Sequence, residues 1–459
     1  MDNMSRAINA IYRPVLLIFA ITCILNYFLK IPVFEYVSAA IILLVVIRTI
    51  PMLDKPLKIL VSCILLTGSL LLILSNADHR VWITSIIRNA NLIAMLICVP
   101  MIALPFYYRD YQEELKSLAQ TRMQSILGFC LLVSLFTHLL GVLLSVSALA
   151  IVYELFKPQA KLYKSEDTFI TTVMRSHSSA GFWSPAFASM VLITSVLSVQ
   201  WVSLIPIGLL FAVLLISMDL GSIAWKMKRK PEDYSRLNAQ DGVSPNWKMI
   251  STMLILSFIL IGTLVIASLI TPWELFIVIP LVAVIFPLLV GVVQNHIPEY
   301  KKGMSDYYNS SLPKLQSQFA VFAAAGFFGK TLDAAGIGEM IPQLLPTWLI
   351  SYPAFMIAAI MLLLILPALI GVHPAATGTA LLAAVAPEVI GLDVMSYSLT
   401  ILTGFLLATF LSPLTVMSLI ISGCSGRPAW SLLRLNYKFG IAALIIFSLL
   451  ISVTGPLLS

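Results

Sequence analysis

Three histidines, one arginine and a set of hydroxyls carry the chemistry open to this chain, and all of them interrupt otherwise apolar stretches. His138, His177 and His373 sit in three such interruptions, and Arg175, Ser176, Ser178 and Ser179 surround His177. Ser184 and Ser412 each belong to a Phe-x-Ser-Pro tract, and Thr137, Thr377, Thr379 and Thr415 accompany the same places. Histidine exchanges a proton near neutrality. The planar guanidinium suits a carboxylate, sulfate or phosphate, and hydroxyls add neutral hydrogen bonds. The roles expected are Arg175 as anchor for an anion, the hydroxyls as its cradle, and the histidines as proton or polar ligands. If the break lies nearer the surface, Arg175 would instead snorkel there.

Other chemistries find less support. An enzyme acting within the membrane would want paired acids, or a nucleophile with a base. His177 beside Ser176 and Ser178 is the one approximation, and adjacent residues rarely make a working dyad, so no enzymatic activity is expected. The histidine spacing is no metal motif, and Arg175 would repel a cation. The five cysteines stand singly, which indicates neither a disulfide framework nor a metal site. No cofactor is expected beyond a coupling proton or sodium ion.

These residues lie in a chain of 459 residues that is 59% hydrophobic, with mean hydropathy +0.98 and 11% charged residues. A soluble domain carries about 25% charged residues, so this is an integral membrane protein whose environment is the lipid bilayer. The net charge of +7 sits in short loops between apolar runs, as the positive-inside rule predicts, and not in a nucleic-acid-binding surface.

Apolar runs near the membrane-spanning length of about 20 residues predict an all-α polytopic protein of about 11 transmembrane helices plus two re-entrant hairpins. Residues 1–32 form a first span, retained because no cleavage site follows. The first repeat covers 36–224, with spans at 36–53, 57–75 and 82–106, a surface helix near 107–118, a hairpin at 124–156, a broken span at 165–198 and a last span at 203–224. A single straight helix over 124–156 would be about 50 Å long, well beyond the hydrocarbon core of about 30 Å, so the hairpin tip is placed at Thr137-His138. The first broken span is placed to open at Arg175–Pro185.

A basic loop at 225–248 is the expected linker. The pattern then starts again over 249–456, with spans at 249–270, 273–294 and 316–336, and a hairpin at 352–390 tipped at Gly371–Thr379. A span at 394–424 broken at Ser412-Pro413 and a final one at 434–456 complete it. His138 and His373 are 235 apart, the Phe-x-Ser-Pro tracts 228, and Trp201 and Trp430 229. Five crossings and a hairpin per copy insert the second copy upside down, the inverted repeat of transporters. With the N-terminus cytoplasmic, 23 of the 28 Lys and Arg residues fall in cytoplasmic segments.

Several residues read as structural. Lys330 and Asp333 neutralise each other one helical turn apart. Asp219 reads as interfacial, Trp201 as part of an aromatic belt, and Glu388 as lying at the outer surface.

The Gly-rich run Phe322–Ile337 followed by a hairpin ending in His373-Pro374-Ala375-Ala376-Thr377 resembles the ion transporter superfamily, especially its divalent anion:sodium symporters. The family's hairpin tips read Ser-Asn-Thr, whereas these read Thr137-His138-Leu139 and His373-Pro374-Ala375. The resemblance implies an elevator-type mechanism and a homodimer.

The resulting expectation is a secondary active transporter in the cytoplasmic membrane, moving a small anion, foremost an organic carboxylate, with proton or sodium coupling. A cation/proton antiporter and an inorganic anion or arsenite efflux permease are the alternatives. The absence of an acid from the four interruptions argues against the antiporter.

Overall fold

The computed structural model describes residues 2–53, 55–108, 125–161, 163, 165–231, 247–336 and 346–454, and the statements below concern these residues. All but the first two residues of the surface helix expected near 107–118, most of the basic loop and most of the connection 337–351 lie outside them, as does the Asp333 side chain.

The fold is all-α and that of a multi-pass membrane protein, with ten helical stretches long and apolar enough to cross a membrane. A first group comprises α1 Asp2–Leu29, α2 Pro32–Thr49, α3 Lys55–Leu74, and α4 His79–Ile86 leading into α5 Ala90–Cys98 and a 3-10 stretch, Val99–Tyr107. Next come α6 Ile126–Leu144, α7 Ser147–Ala160, α8 Glu166–Ala180, α9 Ala188–Leu197 and α10 Trp201–Arg229. The second half brings α11 Trp247–Ile270, α12 Leu275–Val293, α13 Ile297–Asp306 and α14 Gln316–Ala334. After the short α15 Thr347–Ser351 follow α16 Pro353–Leu369, α17 Pro374–Ala384, α18 Val394–Leu411, α19 Val416–Ser425 and α20 Ala429–Thr454.

Local chemistry sets many boundaries. Asp78, Ser125, Asp393 and Thr415 cap helices by accepting the N–H of Val81, Gly128, Ser396 and Ser418, satisfying donors that have no partner within the helix. Proline opens α2, α16 and α17, where its missing N–H costs nothing.

The two halves pack alike. In the first, α6 packs on α8 and α8 on α10; in the second, α16 packs on α18 and α18 on α20. The halves also exchange contacts reciprocally: α9 lies on α17 and α18, while α19 lies on α7 and α8. Reciprocal exchange is what a two-fold relation between repeats produces. Around this block stand α1–α5 and α11–α14, with α14 packed on α2, α3 and α4 and α12 on α5.

Three boundaries differ from the sequence reading. The first hairpin turns at Ser145-Val146, not at Thr137-His138, which lie inside α6. Helix tolerates them because the Thr137 hydroxyl donates back to the Val133 carbonyl at 2.6 Å, a local bond that leaves the helix intact. Gly141 lets α8 approach, since a Cβ there would stand 3.0 Å from that of Ala180. Ser145 makes the turn with φ of 49°, which its sequence does not advertise. Secondly, Arg175 to Ala180 remain helical, and the first break spans Gly181–Phe187. Thirdly, the run expected as one span over 82–106 is itself interrupted at Ile87–Asn89. The buried Asn89 amide donates to the Phe322 carbonyl of α14 at 2.9 Å, close against Gly326.

Candidate functional site

The two breaks are built by the same hydrogen bonds. Ser184 Oγ donates to the Val142 carbonyl (2.8 Å) and accepts the Ala186 N–H (3.2 Å). Ser412 Oγ donates to the Ala368 carbonyl (2.6 Å) and accepts the Leu414 N–H (3.1 Å). Each break thus ties itself to the end of its own hairpin's first helix. A glycine in the next long helix allows close packing in both: a Cβ at Gly208 would lie 2.3 Å from the Phe182 carbonyl oxygen, and one at Gly440 2.5 Å from the Leu411 side chain. In this register His138 and His373 are not counterparts, because His138 lies within α6 whereas His373 caps the start of α17.

Arg175 does not face the breaks. Its side chain is 3% exposed, and Nη1 meets Asp219 Oδ1 of α10 at 2.6 Å. Nε donates to Asn436 Oδ1 (2.9 Å), Nη2 donates to the Leu435 carbonyl (3.2 Å), and the group lies over the Phe439 ring at 3.9 Å. Asp219 also accepts from Thr172 (3.0 Å) and is wholly buried. The guanidinium expected to anchor an anion is instead committed to α10 and α20. Trp201 departs likewise from an interfacial belt: it is buried and donates to the Trp183 carbonyl at 2.7 Å. Glu388 is exposed.

Near the first break, the donor-only Trp183 Nε1–H points at His138 Nε2 (3.0 Å), which makes His138 Nδ1 the donor to Ser179 Oγ (2.8 Å). Ser179 in turn donates to the Ser176 carbonyl (2.6 Å). His177 Nε2 donates to the Ser145 carbonyl in the hairpin turn (3.0 Å), and its Nδ1 is buried without a protein partner. Where the halves cross, Ser178 donates to Thr409 Oγ1 (3.1 Å), whose own proton goes to the Leu406 carbonyl. His373 Nδ1 accepts the Ala375 N–H (3.2 Å), and its ring meets Phe322 of α14 and Phe405 of α18 edge-on.

Beside the second hairpin lies a cavity of about 340 Å³. Its walls include His373 from the hairpin turn, Ser412 and Thr415 from the second break, Ser317, Gln318 and Phe322 from α14, and Met52 and Leu57. Of the hydroxyls singled out in the sequence, Ser412 and Thr415 line it; Thr137, Ser176, Ser178, Ser179, Ser184, Thr377 and Thr379 do not. Thr379 bonds back to the Ala375 carbonyl, and the hydroxyls of Ser176 and Thr377 are buried without a partner. Ser317 and Gln318 escaped the sequence reading because polar residues at the start of a span look like an interfacial end.

The corresponding place at the first hairpin is filled. There Val142, Leu143, Pro185, Ala186 and Trp201 meet Ile102, Leu260, Leu264 and Ile279, leaving about 10 Å³. Among the described residues, the open cavity has no carboxylate in its lining. Its polar groups are neutral donors and acceptors, and Thr415 and Val416 bring to it the N-terminus of α19, the positive end of that helix's dipole. A polar group or anion suits that environment better than a metal ion, and no metal-holding cluster of His, Cys, Asp or Glu occurs among the described residues.

Fold and site together define a multi-pass helical membrane protein in which two hairpins and two broken helices meet inside the bundle. Its fold is similar to the crystal structure of the YdaH transporter of Alcanivorax borkumensis, described as having an unusual topology. The TM-score is 0.56 at 15% sequence identity, over 87% of this chain and 98% of that one. No protein-family model and no curated protein matches the chain.

Proposed function

We propose that the protein is a secondary transporter for a small organic anion, working by an elevator-type movement of the block α6–α10 and α16–α20 against the surrounding helices. The observation that carries this reading is the unequal pair of equivalent spaces: the one at the first hairpin is closed by apolar contact, and the one at the second is open to about 340 Å³. A carrier with two related gates holds one shut while the other is open.

The open cavity lies toward the end of the bundle where α1 begins. Arg13 there donates to Asn309 at 2.7 Å, and the chain enters α14 at Gln316, next to the cavity residues Ser317 and Gln318. By the distribution of Lys and Arg that end is cytoplasmic, so the conformation is inward-open. An anion is favoured because the lining combines Ser317, Gln318, His373, Ser412 and Thr415 with a helix N-terminus and, among the described residues, no acid. Proton or sodium coupling, re-entry of the two hairpins and a homodimeric assembly complete the proposal.

Uptake into proteoliposomes of a panel of mono- and dicarboxylates, with proton and sodium gradients imposed separately, tests it. Gradient-driven accumulation of a carboxylate is expected. Robust cation-driven proton flux with no anion transported would establish the antiporter instead, and flux of arsenite or another inorganic anion alone would establish the efflux permease.

A further inference from the structure

A proton-carrying imidazole must offer a lone pair that no other donor already fills, and the three histidines near the breaks differ in this respect. His138 Nε2 is occupied by the Trp183 N–H, and His373 Nδ1 by the Ala375 N–H. Protonating either one sets two donors against each other and breaks a bond worth roughly 0.5–1.5 kcal/mol. His177 is different. A carbonyl accepts only, so Nε2 must carry the hydrogen it gives to Ser145, and Nδ1 is left as a lone pair with no protein donor on a residue that is 2% exposed.

We infer that His177 Nδ1 is the site that binds the coupling proton, an inference that rests on the transport reading above. In the conformation seen here the site meets no protein donor and is buried beside the closed first gate. Its ring packs on Phe187, the last residue of the first break, at 5.2 Å between centroids, and on Gly141 of α6. Its one hydrogen bond reaches Ser145, the residue whose positive φ makes the first hairpin turn. A proton on Nδ1 turns Nε2–H into a charged and stronger donor to that turn. Proton binding thereby acts on the hairpin and the break that form the closed gate. Opening this gate is what admits the proton.

The charges facing the ring agree with a single-proton site. From α6 the facing titratable group is His138, and two neighbouring imidazolium ions repel, so the two rings do not carry charge together. On α8 itself Arg175 is neutralised by Asp219. The turn and the break contribute Ser145 and Phe187, which carry no charge.

The protein contains five histidines, so 15N-histidine solid-state NMR of the full chain in liposomes resolves the question. His138→Gln, His177→Gln and His373→Gln samples supply the assignments. Between pH 8 and pH 4, the signal of a bare ring nitrogen at His177 is expected to convert to a protonated one before His138 or His373 changes. Retention of the bare nitrogen at pH 4, or earlier protonation of His138 or His373, overturns the inference. The measurement uses no transported anion, so it stands even if every carboxylate in the uptake panel fails. Given a transported carboxylate, His177→Gln should lower proton-driven accumulation at least tenfold while exchange at equal pH persists. Unchanged accumulation would also overturn the inference.

Discussion

Ser184 and Ser412, 228 residues apart, are equivalent in their bonds and unequal in their surroundings. Each hydroxyl bridges a hairpin carbonyl and the N–H two residues ahead, yet Ser412 lines an open cavity and Ser184 is sealed in. Replacing either by alanine leaves a buried carbonyl and N–H short of a partner, at a cost of about 1–3 kcal/mol. Thermal unfolding in detergent should therefore drop similarly for Ser184→Ala and Ser412→Ala. Anion affinity should change for Ser412→Ala alone; an equal loss of affinity in both would contradict the assignment of the cavity.

The pairing of Arg175 with Asp219 is expected to be a matter of folding and not of cargo. Removing one partner from a buried pair costs about 3–5 kcal/mol because the other charge is stranded. Asp219→Ala and Arg175→Ala should each reduce the yield of folded protein sharply, and the double replacement Arg175→Met with Asp219→Leu should recover much of it. A stable Arg175→Ala protein that has lost only anion binding would restore the arginine as an anchor.

Access should be one-sided. In a background lacking the five native cysteines, single cysteines at Ser317 and Gln318 should react with a membrane-impermeant maleimide only from the face carrying the N-terminus. Cysteines at Leu260 and Leu264 should resist labelling from both faces in the conformation described here. Rapid labelling at Leu264 with none at Gln318 would reverse the assigned state.

Gly208 and Gly440 should differ in tolerance although each packs against the broken helix of its own half. The Cβ of Gly208→Ala would collide with a backbone carbonyl, which cannot rotate away, whereas that of Gly440→Ala meets the end of a leucine side chain. Gly208→Ala is expected to lower stability by at least the roughly 1–3 kcal/mol of an overpacked core, and Gly440→Ala by clearly less. Comparing detergent melting temperatures decides it.

Much of the architecture was legible in the residues. Run length and charge placement marked the spans, because only a helix can satisfy its own backbone in lipid. The Phe-x-Ser-Pro tracts marked the breaks, because proline removes an N–H and the neighbouring serine recaptures the freed groups. Gly371 and Pro374 likewise announced the second hairpin, which turns between them. The first hairpin gave no such notice, since its turn rests on a serine at positive φ, while the more conspicuous Thr137 and His138 are accommodated in helix by bonds to Val133, Ser179 and Trp183.

The amino-acid sequence by itself determined that this is a membrane-embedded helical protein with two broken helices, since hydropathy, proline and charge act locally and need no partner. Only the tertiary structure decided which polar side chains are spent on the fold and which face a cavity. Asp219 lies 44 residues from Arg175, and Asn436 lies 261 residues away. A guanidinium that reads as free along the chain was neutralised by groups that packing alone brought to it.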